Sequence, residues 1–325
     1  MTPSGFRPFA VASVSLGLYL EDLDPPAALE ELLLQAKIAE DSGFDGITLS
    51  EHHGAFEGYL PTPVLGTSWI LEHVDKAWAA PCPLILPLRP LNLMLEEIGW
   101  LASRHPGRVG VGLAPGFAAD DFLLVHASHE TRRADFYRNL GPAVQALRGA
   151  ATGPLGDDPA VKRCAAHPVP VVGAVAGPVA AAKAAKAGAG MLIATFRSPD
   201  QARELSAIYR DKGGTGPRVL VRRCWLGERP ARPGAEPAPS REGRRSAPRA
   251  WENGDRTDMV TAASADEMAQ RLCDRLTESD VTALNIRLQL PGSTPRATRE
   301  QIERFGAEVL PGLRRLIGKA THQPT

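Results

Sequence analysis

The chain has 325 residues, and 37 Lys and Arg stand against 37 Asp and Glu, a zero formal balance that argues against a general nucleic-acid binder, which needs clustered excess cations. No apolar run approaches the roughly 20 residues of a membrane span. The opening MTPSGFRPFA lacks the charged-then-apolar pattern of a secretory leader, and Cys82, Cys164, Cys224 and Cys273 form no CxxC pair, so a cytoplasmic protein with reduced thiols, no disulfide frame and no zinc site is expected.

Short β-branched or Leu-rich runs alternate with helical patterns along the chain. The first strand is read over 11–20; Asp24 then serves as cap and Pro25 as opening of a helix, with Leu29, Leu32, Leu33, Ala36 and Ala39 at helical spacing and Gly43 as its stop. The second strand, 46–50, runs into Glu51-His52-His53 and a loop of glycines and aromatics. Next come a helix over 62–76, a third strand over 84–88, a helix over 91–104, a fourth strand over 108–113 and a loop to about residue 128. A helix over 130–148, a strand over 169–175, a helix over 178–187 and a strand over 191–195 follow. Ser198-Pro199-Asp200-Gln201 reads as a capping box opening a helix, 218–224 as the seventh strand, and Ser264-Ala265-Asp266-Glu267 as a second capping box. An eighth strand over 283–290 and a helix from Thr294-Pro295 to about residue 317 complete the chain. Eight strands alternating with eight helices predict one domain over 1–325, a (β/α)8 TIM barrel. Two stretches break the rhythm, 149–168 and the Pro-, Arg- and Gly-rich 228–256. The second follows strand seven and is expected to be a flexible insertion on the C-terminal face, either a lid or a loop of no consequence.

Glu51-His52-His53 is the densest ionisable cluster. Neighbours on an extended backbone point to opposite faces, so one histidine faces the barrel mouth and the other the surrounding helices. Such a pair chelates one metal poorly, HExxH is absent, and no metal is expected. A mouth-facing histidine, with an ordinary pKa near about 6.5, suits general-base work. Gly110-Val111-Gly112-Leu113-Ala114-Pro115-Gly116 approximates a dinucleotide fingerprint, but its third glycine is late and Pro115 interrupts it. It reads better as a barrel strand whose glycines let a ligand approach the backbone. In Val172-Gly173-Ala174-Val175-Ala176-Gly177-Pro178 a helix N-terminus offers free N–H groups to a phosphate, and a plain tight turn of small residues fits equally.

The blocks SGFDGITLSEHH, GYLPTPVL, LPLRPLNLMLEEIGWLA, HPGRVGVGLAPGFAADDF, PVPVVGAVAGPVAAAKAAKAGAG and ALNIRLQLPG, in this order, resemble bacterial luciferase-like flavin-dependent monooxygenases through nearly the whole chain apart from the two irregular stretches. The resemblance implies a luciferase-like barrel that binds reduced FMN at its C-terminal mouth, or the deazaflavin F420 in some branches; the EHH form is similar to the FMN branches. His52 matches the family's catalytic histidine near the flavin C4a position, and Glu51 and His53 match its pocket-shaping neighbours. Cys82-Pro83 matches a cis bulge under the flavin ring, and Ala114, Val175, Ala176 and Gly177 complete the cofactor-binding set. Pro115 stands where luciferase has an arginine on the FMN phosphate, and no hydroxyl follows the fifth strand, which leaves backbone N–H groups with Arg197 as a distant cation. The implied reaction takes reduced FMN from a separate flavin reductase and passes through a C4a-peroxyflavin. Hydroxylation, epoxidation and Baeyer–Villiger insertion all share that route. Phe56, Tyr59, Phe117, Phe122 and Phe196 suggest a small, apolar or aromatic substrate. An F420-dependent oxidoreductase and a non-catalytic partner subunit are the rival readings, and a homodimer is expected, with the helix over 64–71 as a candidate contact.

Overall fold

Strand β1 (Val14–Leu18) is buried at all five positions, as a strand covered on both faces must be. It pairs in parallel with β2 (Gly46–Leu49) on one side and β10 (Ala283–Arg287) on the other. From β10 the sheet continues through β8 (Arg218–Leu226), β7 (Gly190–Ile193), β6 (Val171–Val175) and β5 (Val111–Ala114) to β4 (Leu84–Ile85), while β2 leads to β3 (Trp78–Pro81). Only Cys82 and Pro83 separate β3 from β4, so the two are halves of one barrel strand. The first half pairs with β2 and the second with β5, and a bridge between Ala79 and Val109 closes the ring. The architecture is thus the expected (β/α)8 barrel, seen in a computed structural model that describes residues 7–54, 56–194, 197–229, 259–290 and 293–321.

Outside the ring lie α1 (Pro25–Asp41), α2 (Pro63–His73), α3 (Leu91–Arg104), α4 (Ala119–Leu124) and α5 (Arg132–Ala146). Then come α6 (Pro154–Asp157), α7 (Pro159–Arg163), α8 (Pro178–Ala187) and α9 (Pro199–Asp211). After these follow α10 (Ala265–Glu278), α11 (Pro295–Arg304), a π-helical turn (Phe305–Val309) and α12 (Leu310–Thr321). Proline opens α1, α2, α8, α9 and α11, where its fixed φ is helical and its missing N–H costs nothing. Ser198 and Gln201 form the full capping box. Ser264 accepts from Glu267 N and Thr294 from Ala297 N, whereas the Asp24 side chain makes no cap and α1 starts on Pro25 alone. None of the described helices is long and apolar enough to cross a membrane.

The third strand lies earlier than its sequence suggested. Helix α2 ends at His73, and the chain then turns on Glu40, whose carboxylate accepts the N–H groups of Asp75, Lys76 and Ala77 at 3.1, 2.6 and 2.9 Å. Trp-Ala-Ala-Pro then forms β3 without one β-branched residue, and 86–88 is a 3-10 turn in place of strand. Trp78, fully buried, packs edge-on against Phe9 at 4.9 Å, in the apolar cluster that also holds Val172, Val219 and Ala283 from β6, β8 and β10. The irregular 149–168 contains α6 and α7, the latter capped by Asp158, and α4 lies where a loop was expected. A further strand, β9 (Met259–Ala262), pairs with the outer end of β8. Of the expected insertion over 228–256, all but Glu228 and Arg229 lies outside the described residues, as do Thr195 and Phe196.

Period-two alternation stacks the inward side chains in layers. Ser15, Thr48 and Asn285 form one layer, with Asn285 Nδ2 donating to Ser15 Oγ at 2.9 Å and to Thr48 Oγ1 at 3.0 Å. Two residues on, Gly17, Ser50 and Arg287 form the next, and two further the chain reaches Tyr19 and His52 at the mouth.

Candidate active site

His52 leaves the end of β2 on the inward phase and is 5% exposed. Its Nδ1 lies 2.7 Å from Oδ2 of Asp121, in the first turn of α4. A carboxylate only accepts, so Nδ1 carries the hydrogen and Nε2 is left for chemistry. The other oxygen of Asp121 accepts the backbone N–H of His53 at 2.9 Å, so one carboxylate fixes both the ring and the strand that carries it. Phe56 stacks on the His52 ring at 4.1 Å, and Tyr59 and Phe117 meet it edge-on at 4.6 and 4.9 Å.

His53 takes the opposite phase. Its Nε2 lies 3.0 Å from Oε1 of Glu51, and burial lowers its pKa, against an upward pull from Asp121. Glu51 is wholly buried, with Oε2 accepting Ile85 N–H at 2.5 Å and Oε1 accepting from Arg89 as well. The same two segments are joined by Glu51 N–H to Pro83 O at 3.1 Å and Cys82 N–H to Leu49 O at 2.6 Å. Glu51 therefore bolts β2 to β4 across the Cys82–Pro83 bond, which is cis as the sequence suggested.

A cavity of about 640 Å³ opens at the C-terminal ends of the strands. Among the residues singled out by sequence, Glu51, His52, Pro83, Ala114, Val175, Ala176 and Gly177 line it, and His53 and Cys82 do not. The Cys82 thiol lies below, where Gly112 leaves room: a Cβ on Gly112 would sit 2.2 Å from Sγ. Burial pushes that thiol up to about 12. Phe122 is in the packing of Ile85 and Leu88, so of the expected substrate-side aromatics among the described residues only Tyr59 and Phe117 reach the cavity wall, with Phe56 behind His52; Phe196 lies outside the described residues.

The cations of the cavity were not foreseen. Arg132 and Arg133 reach it from the first turn of α5, and Arg287 from the end of β10. Arg132 donates to His129 O at 2.6 Å while its Nε has no partner. Arginines in a helix's first turn oppose its macrodipole, and that mismatch was the available signal. Facing them is the N-terminus of α8, where Gly177 is extended, offers no side-chain cap and has nothing within 4 Å of where a Cβ would stand. Arg197 reaches the same turn, donating to Ala176 O at 2.6 Å. Asp121 had no sequence signal, because it falls where the sequence reads as a loop and α4 was not foreseen. No group of three His, Cys, Asp or Glu able to hold a metal occurs among the described residues.

Comparison with known proteins agrees with the barrel fold. A family model described as luciferase-like monooxygenase matches residues 10–279. The alkanal monooxygenase alpha chain of Photorhabdus laumondii is 25% identical over 126 residues, 37% of this chain and 35% of that one, so the match spans about a third of that relative's length. Among solved structures, the monooxygenase RslO1 from Streptomyces bottropensis superposes with a TM-score of 0.73 at 20% identity, covering 92% of this chain and 99% of that one. The oxygenating constituent of 3,6-diketocamphane monooxygenase from Pseudomonas putida, a type II Baeyer–Villiger enzyme in complex with FMN, gives 0.70 at 13% identity over 94% and 99%. An F420-dependent secondary alcohol dehydrogenase with an F420-acetone adduct gives 0.68 at 16% identity over 93% and 99%. At these identities the structural likenesses speak for the fold.

Proposed function

Because the chain belongs to the luciferase-like monooxygenase family, we propose that it is a monooxygenase using reduced FMN, delivered by a separate flavin reductase, to oxygenate a small organic substrate with O2. The observation that carries this reading is the His52–Asp121 pair, caged by aromatic rings on the wall of a cavity of about 640 Å³. That volume suits a drug-sized ligand, and the small residues at Ala114 and Val175 to Gly177 leave room for a flat ring. The unfilled N-terminus of α8, with Arg132 and Arg133, suits a phosphate and replaces the cation missing at Pro115. Bound reduced flavin would supply the electrons that activate O2, one atom of which goes to the substrate and the other to water.

The chain's own residues then have separable tasks. His52 Nε2 takes or gives the proton at the reacting oxygen, with Asp121 holding the tautomer and the charge that develops. Phe56, Tyr59 and Phe117 keep water from that nitrogen. Glu51 and Arg89 hold the loop after the split strand that floors the cavity. A homodimer through the outer face of α2, where Leu65 is 47% exposed, belongs to the same proposal. A deazaflavin-dependent oxidoreductase is the second reading, favoured by the F420-dependent neighbour on the same fold. A non-catalytic partner subunit would have no use for a fixed and caged His52.

Anaerobic titration with reduced FMN and, separately, reduced F420, followed by an oxygen pulse, tests the reading. Tight binding of reduced FMN is expected, with slow flavin oxidation and little free peroxide in wild type, and fast oxidation with peroxide release in His52→Ala. Binding of F420 alone without oxygen uptake would replace the monooxygenase with the dehydrogenase, and binding of neither would leave the partner-subunit reading.

A further inference from the structure

Arg287 ends β10 with its side chain laid across Gly17 of β1. A Cβ on Gly17 would stand 2.2 Å from the guanidinium carbon, so the barrel omits a side chain there and the arginine occupies the space. Arg287 is 4% exposed and lines the cavity. Its Nη2 reaches Ser50 Oγ at 3.3 Å, and Ser50 in turn donates to Cys82 O at 3.1 Å, which leaves the hydroxyl free to accept. The Tyr19 ring lies 5.0 Å from Cζ. Among the described residues, Nε and Nη1 have no acceptor. The two carboxylates of the mouth are engaged elsewhere, Glu51 with Ile85, His53 and Arg89, and Asp121 with His52 and His53. A guanidinium keeps its charge at any working pH, and holding one buried without a counter-charge is costly. A ring face and one hydroxyl offset only part of that cost.

We propose that Arg287 seats an acidic group of the substrate, a carboxylate or similar oxyanion on an otherwise apolar, ring-sized body. This rests on the reading that the cavity is where substrate is oxygenated, and it adds a charged group to the apolar or aromatic substrate expected from the aromatics. The oxyanion supplies the acceptor that Nε and Nη1 lack, after a turn of the last side-chain torsions toward the cavity. The apolar body then spans toward Tyr19, Tyr59 and His52. The cofactor's phosphate has its own donors at α8 and α5, so the two negative groups do not compete for one site.

The test is calorimetric binding of 2-naphthoate and its neutral counterpart 2-naphthamide to the full chain, with and without FMN, in wild type, Arg287→Met and Arg287→Lys. Wild type is expected to prefer the acid at least tenfold, Arg287→Met to lose the preference while binding the amide as before, and Arg287→Lys to recover part of it. Inorganic phosphate should not displace the naphthoate. Equal binding of acid and amide, no binding of either at millimolar concentration, a preference that survives Arg287→Met, or displacement by phosphate would each overturn the proposal; the last would put the acid on the cofactor's phosphate donors. If Arg287→Met does not fold, the wild-type preference, its response to phosphate and Arg287→Lys decide. FMN binding in the same samples separates this failure from that of the flavin reading, since acid preference without FMN binding sinks only the latter. FMN binding that falls with Arg287→Met would assign the arginine to the cofactor instead.

Discussion

The two sides of the barrel mouth treat charge in opposite ways. Around β2, β4 and α4 the charges are matched: Asp121 holds His52 and His53, and Glu51 holds His53, Arg89 and a backbone N–H. Around β10 and β1 a buried guanidinium has one hydroxyl, one ring face and two donors without acceptors. Groups that must present a proton in one direction gain from being locked by their neighbours. A group that must take hold of an incoming molecule is useful only where the protein has left it short of a partner. On the proposed reading, the contrast separates a side that handles the proton from a side that takes hold of the substrate.

The largest effect should come from the matched side. His52→Ala should lower turnover about 10²- to 10⁴-fold, the usual weight of a positioned acid or base. Asp121→Asn, which permits the wrong tautomer, should lower it about 10²-fold and change its pH profile while substrate KM holds. Equal rates in wild type and Asp121→Asn would remove the proton-handling role from that side. Next in size is a stability effect. Glu51→Gln strands Arg89, 21% exposed at its side chain, and should cost about 3 kcal/mol in urea unfolding; Arg89→Met added to it should restore part of the loss. Smaller again, Arg132→Met with Arg133→Met should weaken FMN binding about tenfold and flatten its salt dependence, leaving the acid preference at Arg287 intact.

The smallest effect sharpens the comparison from outside the mouth. Glu40, on α1 at the other end of the barrel, is held down to about 2: burial pulls it up, but the N–H groups of Ala77, Lys76 and Asp75 and the Lys37 ammonium outweigh that. A carboxylate depressed on folding adds stability above its ordinary value near 4.5, and that contribution fades as pH falls toward about 2. Glu40→Ala should therefore lose about 2 kcal/mol at pH 7, roughly 1 kcal/mol at pH 3 and little at pH 2, with flavin binding unchanged, as unfolding curves at the three values would read.

The barrel was legible because most of its strands carry their period openly: the apolar, β-branched runs of β1, β2, β6, β8 and β10 need no tertiary information to be seen. Strand β3 was hidden because in Trp-Ala-Ala-Pro only Trp78 favours a strand, and its neighbours make the rest one. His52 was legible from alternation at a strand end. Asp121 was not, since its stretch read as a loop and α4, which aims it at His52, has no periodic pattern to announce it. Arg287 drew no reading from the sequence, because an arginine in a strand is ordinarily solvent-facing, and only its register beside Gly17, two residues past the Ser15–Asn285 pairing, turns it inward.

The burial of the sulfur groups bears on how long such a molecule lasts. Cys82, Cys164, Cys224 and Cys273 are all buried, and burial raises every one of these thiols, so almost none is present as the thiolate that peroxide attacks. Met94, Met191 and Met268 are fully enclosed as well. Among the described residues that leaves Met259, part-buried at the start of β9 beside Arg229, as the sulfur that an oxidant reaches first. Oxidative wear from peroxide would then begin at the first residue of an accessory strand and spare the wall around His52, so the chain would age from its rim inward.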